Sequence, residues 1–600
     1  MMENRSKEFI KRLWKVVLLI VILAGSIIWC FDFYYDLNDD TAIKDIISGT
    51  YTGIPDGHSI QQLYPLAWFL SLLYRAIPGI SWYGLFLCLC QFGVIALIAW
   101  RLTGLIKSES GQILVLVLWG ALATGMFTRE LVIVQYSVTS AMCMMAAVFL
   151  FITAKFVHNN SSEDNIKSYI TPILLVVISY MLRPNICLMM FPFILLAGLS
   201  EWASEEKPFS FNKLRKYLMI TGSALALMLM AFVIDKAAYS SKQWKEFRDF
   251  FDARTSIYDF YEIPDYDKNE EFYKSINMQR ESYELLKNYN FALDDSIDAS
   301  KLEKIRDYQK ENAGQVNGLK NTFGFVSKNN ISEALWLYKQ HLLSLKDGIY
   351  AYIILAVYLL YAIIAAGRKK SGWWWKTAFL VLIRSILWLY LFMVDRVLDR
   401  VTLPLIIGEF ALAAGWTVKE LLIKENSVNR RDVNNSTQFV MLVFAVCAVA
   451  AFTTNAKAAV KEYQDRERVN AGWEALIDYC RENPDNYYVV DVYSSTSSDG
   501  IPYSEKMFVN ADNHYRNFDL CGGWVAKSPL MNEKLEKSGL TDIQTDLCDS
   551  NKNVYFIAKA DRDVEWLKDY YNEKGQAVDI TVADTLTVYD KVLFNIYKVD

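Results

Sequence analysis

Two hydrophobic patterns alternate along these 600 residues. The first is the uncharged apolar run of about 20 residues, the length an α-helix needs to cross ~30 Å of hydrocarbon. Eleven such spans are expected, at 12–31, 82–100, 112–127, 131–154, 169–182, 186–200, 217–235, 348–367, 376–394, 402–423 and 437–454. A further apolar stretch, LYPLAWFLSLLYRAI at 63–77, is short and carries Arg75. Lys and Arg decide how the chain threads. With 63–77 lying on the surface, the loops on the N-terminal side hold twenty basic residues. Apart from Arg75 within that stretch, the short loops on the opposite side hold five: Lys44, Arg129, Arg183, Arg396 and Arg400. That bias places the N-terminus in the cytoplasm and reads 63–77 as an amphipathic or re-entrant helix on the outer face.

The second pattern fills two polar blocks, both expected outside. In 236–347, FYKSINMQRESYELLKNYN and ISEALWLYKQHLLSLKD repeat apolar residues at helical spacing. In 455–600, YYVVDVYS, NVYFIAKA, ITVADTLTV and LFNIYKV read as strands, and VEWLKDYYNEKG as a helix stopped by Gly. The expected fold is therefore a multi-pass α-helical membrane protein of about 11 spans with an extracytoplasmic α/β C-terminal domain. Its parts are a membrane core at 1–235 with an outer loop at 32–81, a helical insertion at 236–347, further spans at 348–454 and the α/β domain at 455–600.

Composition adds little to this frame. The chain is 53% hydrophobic with a net charge of −5, which gives no reason to expect nucleic acid. Six of nine cysteines lie in or beside apolar runs, where they behave as small hydrophobes. Cys480, Cys521 and Cys548 in the C-terminal block allow one disulfide or three thiols.

The candidate chemistry begins where the first span ends, in DLNDDTAIKD at 36–45. One acid suffices to cap a helix TAIKDIIS that stops at Gly49, yet Asp39 and Asp40 are adjacent. After them come GTYTGIPDGHSIQQLYP, the surface helix and IPGISWYGL. This ordered set resembles the first outer loop of the GT-C membrane glycosyltransferases, such as protein O-mannosyltransferases and aminoarabinose transferases. The matching residues are Asp39-Asp40, Tyr64-Pro65 and Gly79-Ile-Ser-Trp82. The match covers about 70 residues, 31–100, with Asp-Asp where those families commonly have Asp-Glu. The resemblance implies a polyprenyl-phosphate sugar donor, an acidic catalytic pair at Asp39 and Asp40, and a cell-surface glycan as acceptor.

The chemistry fits on its own terms. A hydroxyl acceptor is a weak nucleophile, and a positioned carboxylate that takes its proton contributes roughly 10²–10⁴ in rate. A donor whose lipid tail lies in the bilayer keeps its phosphate at the interface, where these acids emerge. Adjacent acids raise one another's pKa or share a metal; an all-oxygen Mg²⁺ or Mn²⁺ site needs more ligands than the sequence shows. The phosphate needs cations, and arginine's planar fork suits it. Arg400, in VDRVLDRVTLP, and Arg183 lead, followed by Arg396 and Arg129; taken singly, each reads first as an interfacial anchor. His58, Tyr64, Glu130, Gln135 and Tyr136 are candidate substrate contacts. Arg384 and Glu409 sit mid-span at comparable depth and are expected to pair as a structural clamp, because a lone central charge costs at least ~2.5 kcal/mol.

Other classes are weighed against this one. Polysaccharide polymerases and ligases commonly use outer loops rich in Arg and His, and the chain has four His. A transporter should show paired interrupted half-helices, and none is visible. A display scaffold would tolerate loss of both aspartates.

Overall fold

The structure, a computed structural model, describes residues 2–156, 166–312, 320–322, 325–368, 372–422, 430–497, 503–508 and 515–600. Eleven helices build the bundle: α1 (Met2–Cys30), α4 (Trp82–Leu105), α5 (Glu109–Val132), α6 (Tyr136–Ile152), α7 (Ile170–Leu182), α8 (Pro184–Ala203), α9 (Phe211–Ala238), α15 (Ile349–Gly367), α16 (Trp373–Val394), α17 (Asp399–Leu422) and α18 (Arg430–Glu482). Among the described residues nine are long and apolar enough to cross a membrane, and the shorter α6 and α7 complete the set. Every residue of α6 is buried, so it is the central helix, sheltered from lipid by α4, α7, α8 and α17.

The apolar stretch at 63–77 forms α3 (Tyr64–Ala76), which lies against the short α2 (Asn38–Ser48) and the end of α9 and does not add a crossing. A parallel bridge between β1 (Tyr34–Tyr35) and β2 (Ile133–Val134) ties the exit of α1 to the turn between α5 and α6. That turn falls later than expected from sequence: Arg129 and Glu130 end α5, and Gln135 and Tyr136 begin α6.

Above this end of the bundle stand the two polar blocks. The first holds α10 (Lys242–Asp259), α11 (Glu270–Ser275), α12 (Arg280–Lys287), α13 (Ala299–Glu311), the hairpin of β3 (Lys320–Thr322) and β4 (Phe325–Ser327), and α14 (Ile331–Leu343). The second is a five-stranded sheet of β5 (Tyr487–Val490), β6 (Phe518–Leu520), β7 (Val554–Lys559), β8 (Ile580–Val588) and β9 (Lys591–Val599), in the order β6-β5-β7-β9-β8. Strands β6, β5 and β7 run parallel, and β9 and β8 antiparallel to their neighbours. The remaining helices are α19 (Pro529–Lys537), α20 (Ile543–Asp546) and α21 (Glu565–Glu573).

The blocks are not separate bodies. Phe250 and Ile257 of α10 and Leu286 of α12 share one core with Val489, Phe556 and Tyr571 of the C-terminal block. The other sheet face packs Tyr488, Val490, Ile557 and Ile596 on Trp473 and Leu476 of α18. Sequence reading ended the last span at 454; α18 instead runs unbroken for 53 residues, out of the bundle and under the sheet. All nine cysteines are free, so the disulfide alternative for the C-terminal block is not realised.

Candidate active site

Helix α2 places the acidic pair. It starts earlier than expected: Leu37 is the N-cap and makes no side-chain cap, so Asp39 and Asp40 lie inside the first turn, where the helix dipole favours anions. Gly49 closes it in the left-handed region at φ 86°, and a Cβ there would stand 2.6 Å from the Pro55 nitrogen. One face, with Asp40, Ile43 and Ile47, is fully buried against the bundle.

The two acids have different surroundings. Asp40 accepts hydrogen bonds at Oδ1 from the Tyr83 hydroxyl and the Tyr136 backbone N–H, each at 3.1 Å. Its Oδ2 is buried without a partner. Burial, and then the charges of Asp39 and Asp36, push the Asp40 carboxyl well above the usual carboxylate range; the two hydrogen bonds offset this only in part. Asp39 is half-buried, and its carboxylate makes no hydrogen bond or ion pair among the described residues.

Around the pair the structure brings together residues from five elements. The Tyr136 hydroxyl lies within electrostatic range of Asp39, Asp40, Arg183 and Arg400. Arg183 reaches the Gln61 side-chain oxygen and stands 5.2 Å over the Tyr136 ring. Arg400 has no hydrogen-bond or ion-pair partner among the described residues. A third arginine, Arg254 of α10, comes within range of Asp39. Among the described residues its one hydrogen bond goes to the Thr255 hydroxyl at 3.3 Å, and its Nε is buried without a partner. Burial lowers the Arg254 pKa, opposed by Tyr258, Tyr289, Asp259 and Asp39.

The other candidates go elsewhere. Arg129 pairs with Glu462 at 2.7 Å and Asp36 at 3.2 Å, and Arg396 with Asp259 at 2.9 Å, so neither guanidinium is open to a phosphate. Glu130 is buried within range of Arg129, Glu462 and Asp36, on the side of that ion network. The Gln135 side chain caps α6 by accepting from the Val138 N–H at 3.0 Å. His58 binds Asp56 at 2.6 Å and stacks on Trp244 at 4.8 Å, beside Tyr64 and Tyr239 in a packed aromatic cluster. Asp56 is held below the usual range; burial would raise it, and the hydrogen bonds from His58 prevail. Arg384 and Glu409 meet at 3.2 Å, with Asp347 at 3.6 Å and the Tyr358 hydroxyl at 3.5 Å.

Sequence reasoning missed Tyr83 and Arg254. Tyr83 adjoins the Trp82 that drew attention, and nothing in one sequence said which ring faces inward. Arg254 left a usable trace. It stands among Phe250, Phe251, Ile257 and Tyr258, and an arginine on the apolar side of an amphipathic helix marks a buried charge. Among the described residues no group of three His, Cys, Asp or Glu side chains converges as a metal-ligand set, so an all-protein cation site does not fit here.

No protein-family model and no curated protein matches this chain. Among solved structures, the crystal structure of ArnT from Cupriavidus metallidurans bound to undecaprenyl phosphate aligns over 97% of this chain and 97% of its own, at 10% identity and a TM-score of 0.39. So loose a superposition carries nothing about function.

Proposed function

We propose that this membrane protein is a glycosyltransferase of the GT-C kind. It moves a sugar from a polyprenyl-phosphate donor to a cell-surface glycan on the outer face. One observation carries this reading: among the described residues a carboxylate without partners, Asp39, stands at the end of a membrane bundle with three arginines, Arg183, Arg254 and Arg400, that make no ion pair. All four groups are half-buried, and a charge that loses part of its hydration is normally offset by a partner. Cations left unpaired beside a free carboxylate suit a ligand that brings both an anion and a proton to remove.

Asp39 is the base in this scheme. It takes the proton of the acceptor hydroxyl as that oxygen bonds the donor's anomeric carbon. The bond from that carbon to the phosphate oxygen breaks, and polyprenyl phosphate leaves with its negative charge held by the arginines. Asp40 is fixed by Tyr83 and Tyr136 and orients the first turn of α2. Burial, and then the charges of Asp39 and Asp36, raise its carboxyl, which favours the neutral form of Asp40. The lipid tail of the donor lies among the bundle helices and membrane lipids. No step runs through a divalent cation, and the excess of cytoplasmic-side Lys and Arg supports the outward direction.

The test incubates purified protein with a panel of polyprenyl-phosphate sugars and compares the wild type with Asp39→Asn and Asp40→Asn. Transfer by the wild type with loss in Asp39→Asn is expected. Full transfer by both variants would remove the base and the reading with it.

A further inference from the structure

A cleft lies between α2 and the C-terminal sheet, outside the base and the arginines. We infer that it receives the acceptor as a neutral carbohydrate chain, an inference that rests on the glycosyltransferase reading above.

Position comes first. An α-helix turns about 100° per residue. Asn38, Thr41, Ala42 and Asp45 therefore form one face of α2, opposite Asp40, Ile43 and Ile47, and this face lines the cleft. Asp39 follows Asn38 at the margin between the faces. A chain lying in the cleft has its end beside the proposed base.

The lining then says what kind of chain. Tyr51 and Trp524, both half-buried, supply aromatic surface, while Trp473 and Tyr503 are buried in the lining, stacked on each other at 5.4 Å. Pockets that hold small polar molecules combine such surface with a few placed polar groups. Thr41 supplies one: its hydroxyl is buried in this lining with no partner among the described residues, and such a group is costly to leave unbonded until a ligand supplies the hydrogen bond.

Charge excludes an anionic chain. Asp45 pairs with Lys44 at 2.6 Å and Arg516 at 2.8 Å, and Glu505 with Lys44 at 2.9 Å and Arg516 at 2.7 Å. Asp519 pairs with Lys534 at 3.3 Å. Every cation in or behind the lining is thus already matched by a carboxylate, in contrast to Arg183, Arg254 and Arg400.

The Cys521-Gly-Gly-Trp524 turn, which the catalytic scheme leaves without a role, builds this wall. A Cβ on Gly522 would stand 1.7 Å from the Tyr289 carbonyl oxygen, and Gly523 adopts φ 98°. Glycine at both positions lets the loop pass the insertion closely enough to set Trp524 over the cleft.

Saturation-transfer difference NMR on the detergent-solubilised full-length protein tests this without any donor. The probes are cellotetraose, chitotetraose, maltotetraose, soluble neutral polysaccharide fragments from the source cell envelope, and a glycerol-phosphate oligomer as the anionic arm. A neutral probe is expected to bind, with at least tenfold weaker binding in Trp524→Ala and in Thr41→Val and recovery in Trp524→Phe. Binding unchanged in both Trp524→Ala and Thr41→Val, preference for the glycerol-phosphate oligomer, or no binding of any neutral probe overturns the inference. Those outcomes leave the glycosyltransferase reading in place, since that fails separately, on transfer retained by both aspartate variants.

Discussion

Two clusters of acids and arginines sit at the same end of the bundle, a few residues apart in sequence, and they are built in opposite ways. In the first, Asp36 receives Arg466 at 2.5 Å and Arg129 at 3.2 Å, and Glu462 binds both arginines. Arg466 also donates to the Asp36 carbonyl at 2.7 Å and the Ser504 hydroxyl at 3.1 Å. Two carboxylates answer two guanidiniums, and the network joins the exit of α1, the end of α5, the extension of α18 and the C-terminal block. In the second, Asp39 and the guanidiniums of Arg183, Arg254 and Arg400 converge without an ion pair among them. The first cluster is closed and can only hold parts together. The second holds three cations beside a carboxylate, an arrangement that suits the phosphate-bearing donor proposed above. Both contain Arg and Asp at a membrane rim; what distinguishes scaffold from site is whether the partners are already present.

Breaking the open cluster should cost most in rate. Asp39→Asn is expected to lower transfer by roughly 10²–10⁴-fold while the thermal midpoint stays close to the wild type, because no contact of its carboxylate is lost. Initial rates with a saturating polyprenyl-phosphate sugar, alongside a melting curve of the same preparation, read both. A collapse of the midpoint together with the rate would make Asp39 a scaffold residue and erase the contrast between the clusters.

Breaking the closed cluster should do the reverse. Arg466→Met leaves Asp36 and Glu462 short of a partner, and removing one member of a buried pair destabilises by about 3–5 kcal/mol. A large fall in the thermal midpoint, with activity per folded molecule largely kept, is the expected result. An Arg466→Met protein as stable as the wild type would show that the C-terminal block is not tied to α2 through this network.

Arg254 offers a smaller and sharper cut. Arg254→Lys keeps the charge and loses the planar fork, so donor KM should rise about tenfold or more with a lesser change in kcat. An unchanged KM would remove Arg254 from the phosphate site and leave Arg183 and Arg400 to carry it.

These contrasts were unevenly legible in the sequence. The spans were readable because a run of apolar residues has one solution in hydrocarbon, and the surface placement of 63–77 followed from where Lys and Arg fall. That Asp39 and Asp40 stand near Tyr136, Arg183 and Arg400 could be approached from loop order alone. The division of labour between the two aspartates could not: it depends on which side of α2 faces the bundle, and the helix starts at Asn38, three residues before the start read from TAIKDIIS. Arg129 and Arg396 looked as available as Arg400. Their partners Glu462 and Asp259 lie far away in sequence, and pairing at long range is what a single chain does not display. The continuation of α18 was hidden because its residues beyond 454 are polar on one side, and a reading tuned to hydrocarbon stops where the charges begin.

The smallest expected effect tests the contrast through protons. Glu505, at the edge of the closed interface, is drawn down to about 2: burial would raise it, but Arg516 and Lys44 more than offset that. Asp40 is pushed the other way by burial and by its acidic neighbours. The signs follow from linkage. Glu505 contributes stability above its unfolded value of about 4.5 and loses it as pH falls toward 2. Asp40 contributes while protonated, so stability is lost as pH rises through its raised folded pKa. Glu505→Gln should therefore melt below the wild type at neutral pH, with the gap closing as pH drops beneath about 4.5. Asp40→Asn should melt at or above the wild type, with a gap that widens as pH increases. Neither slope can exceed ~1.4 kcal/mol per pH unit, the limit for one proton. Melting curves at matched pH steps decide it. If the two variants shift in the same direction, the two acids share one environment, and Asp40 belongs with the paired carboxylates of the scaffold.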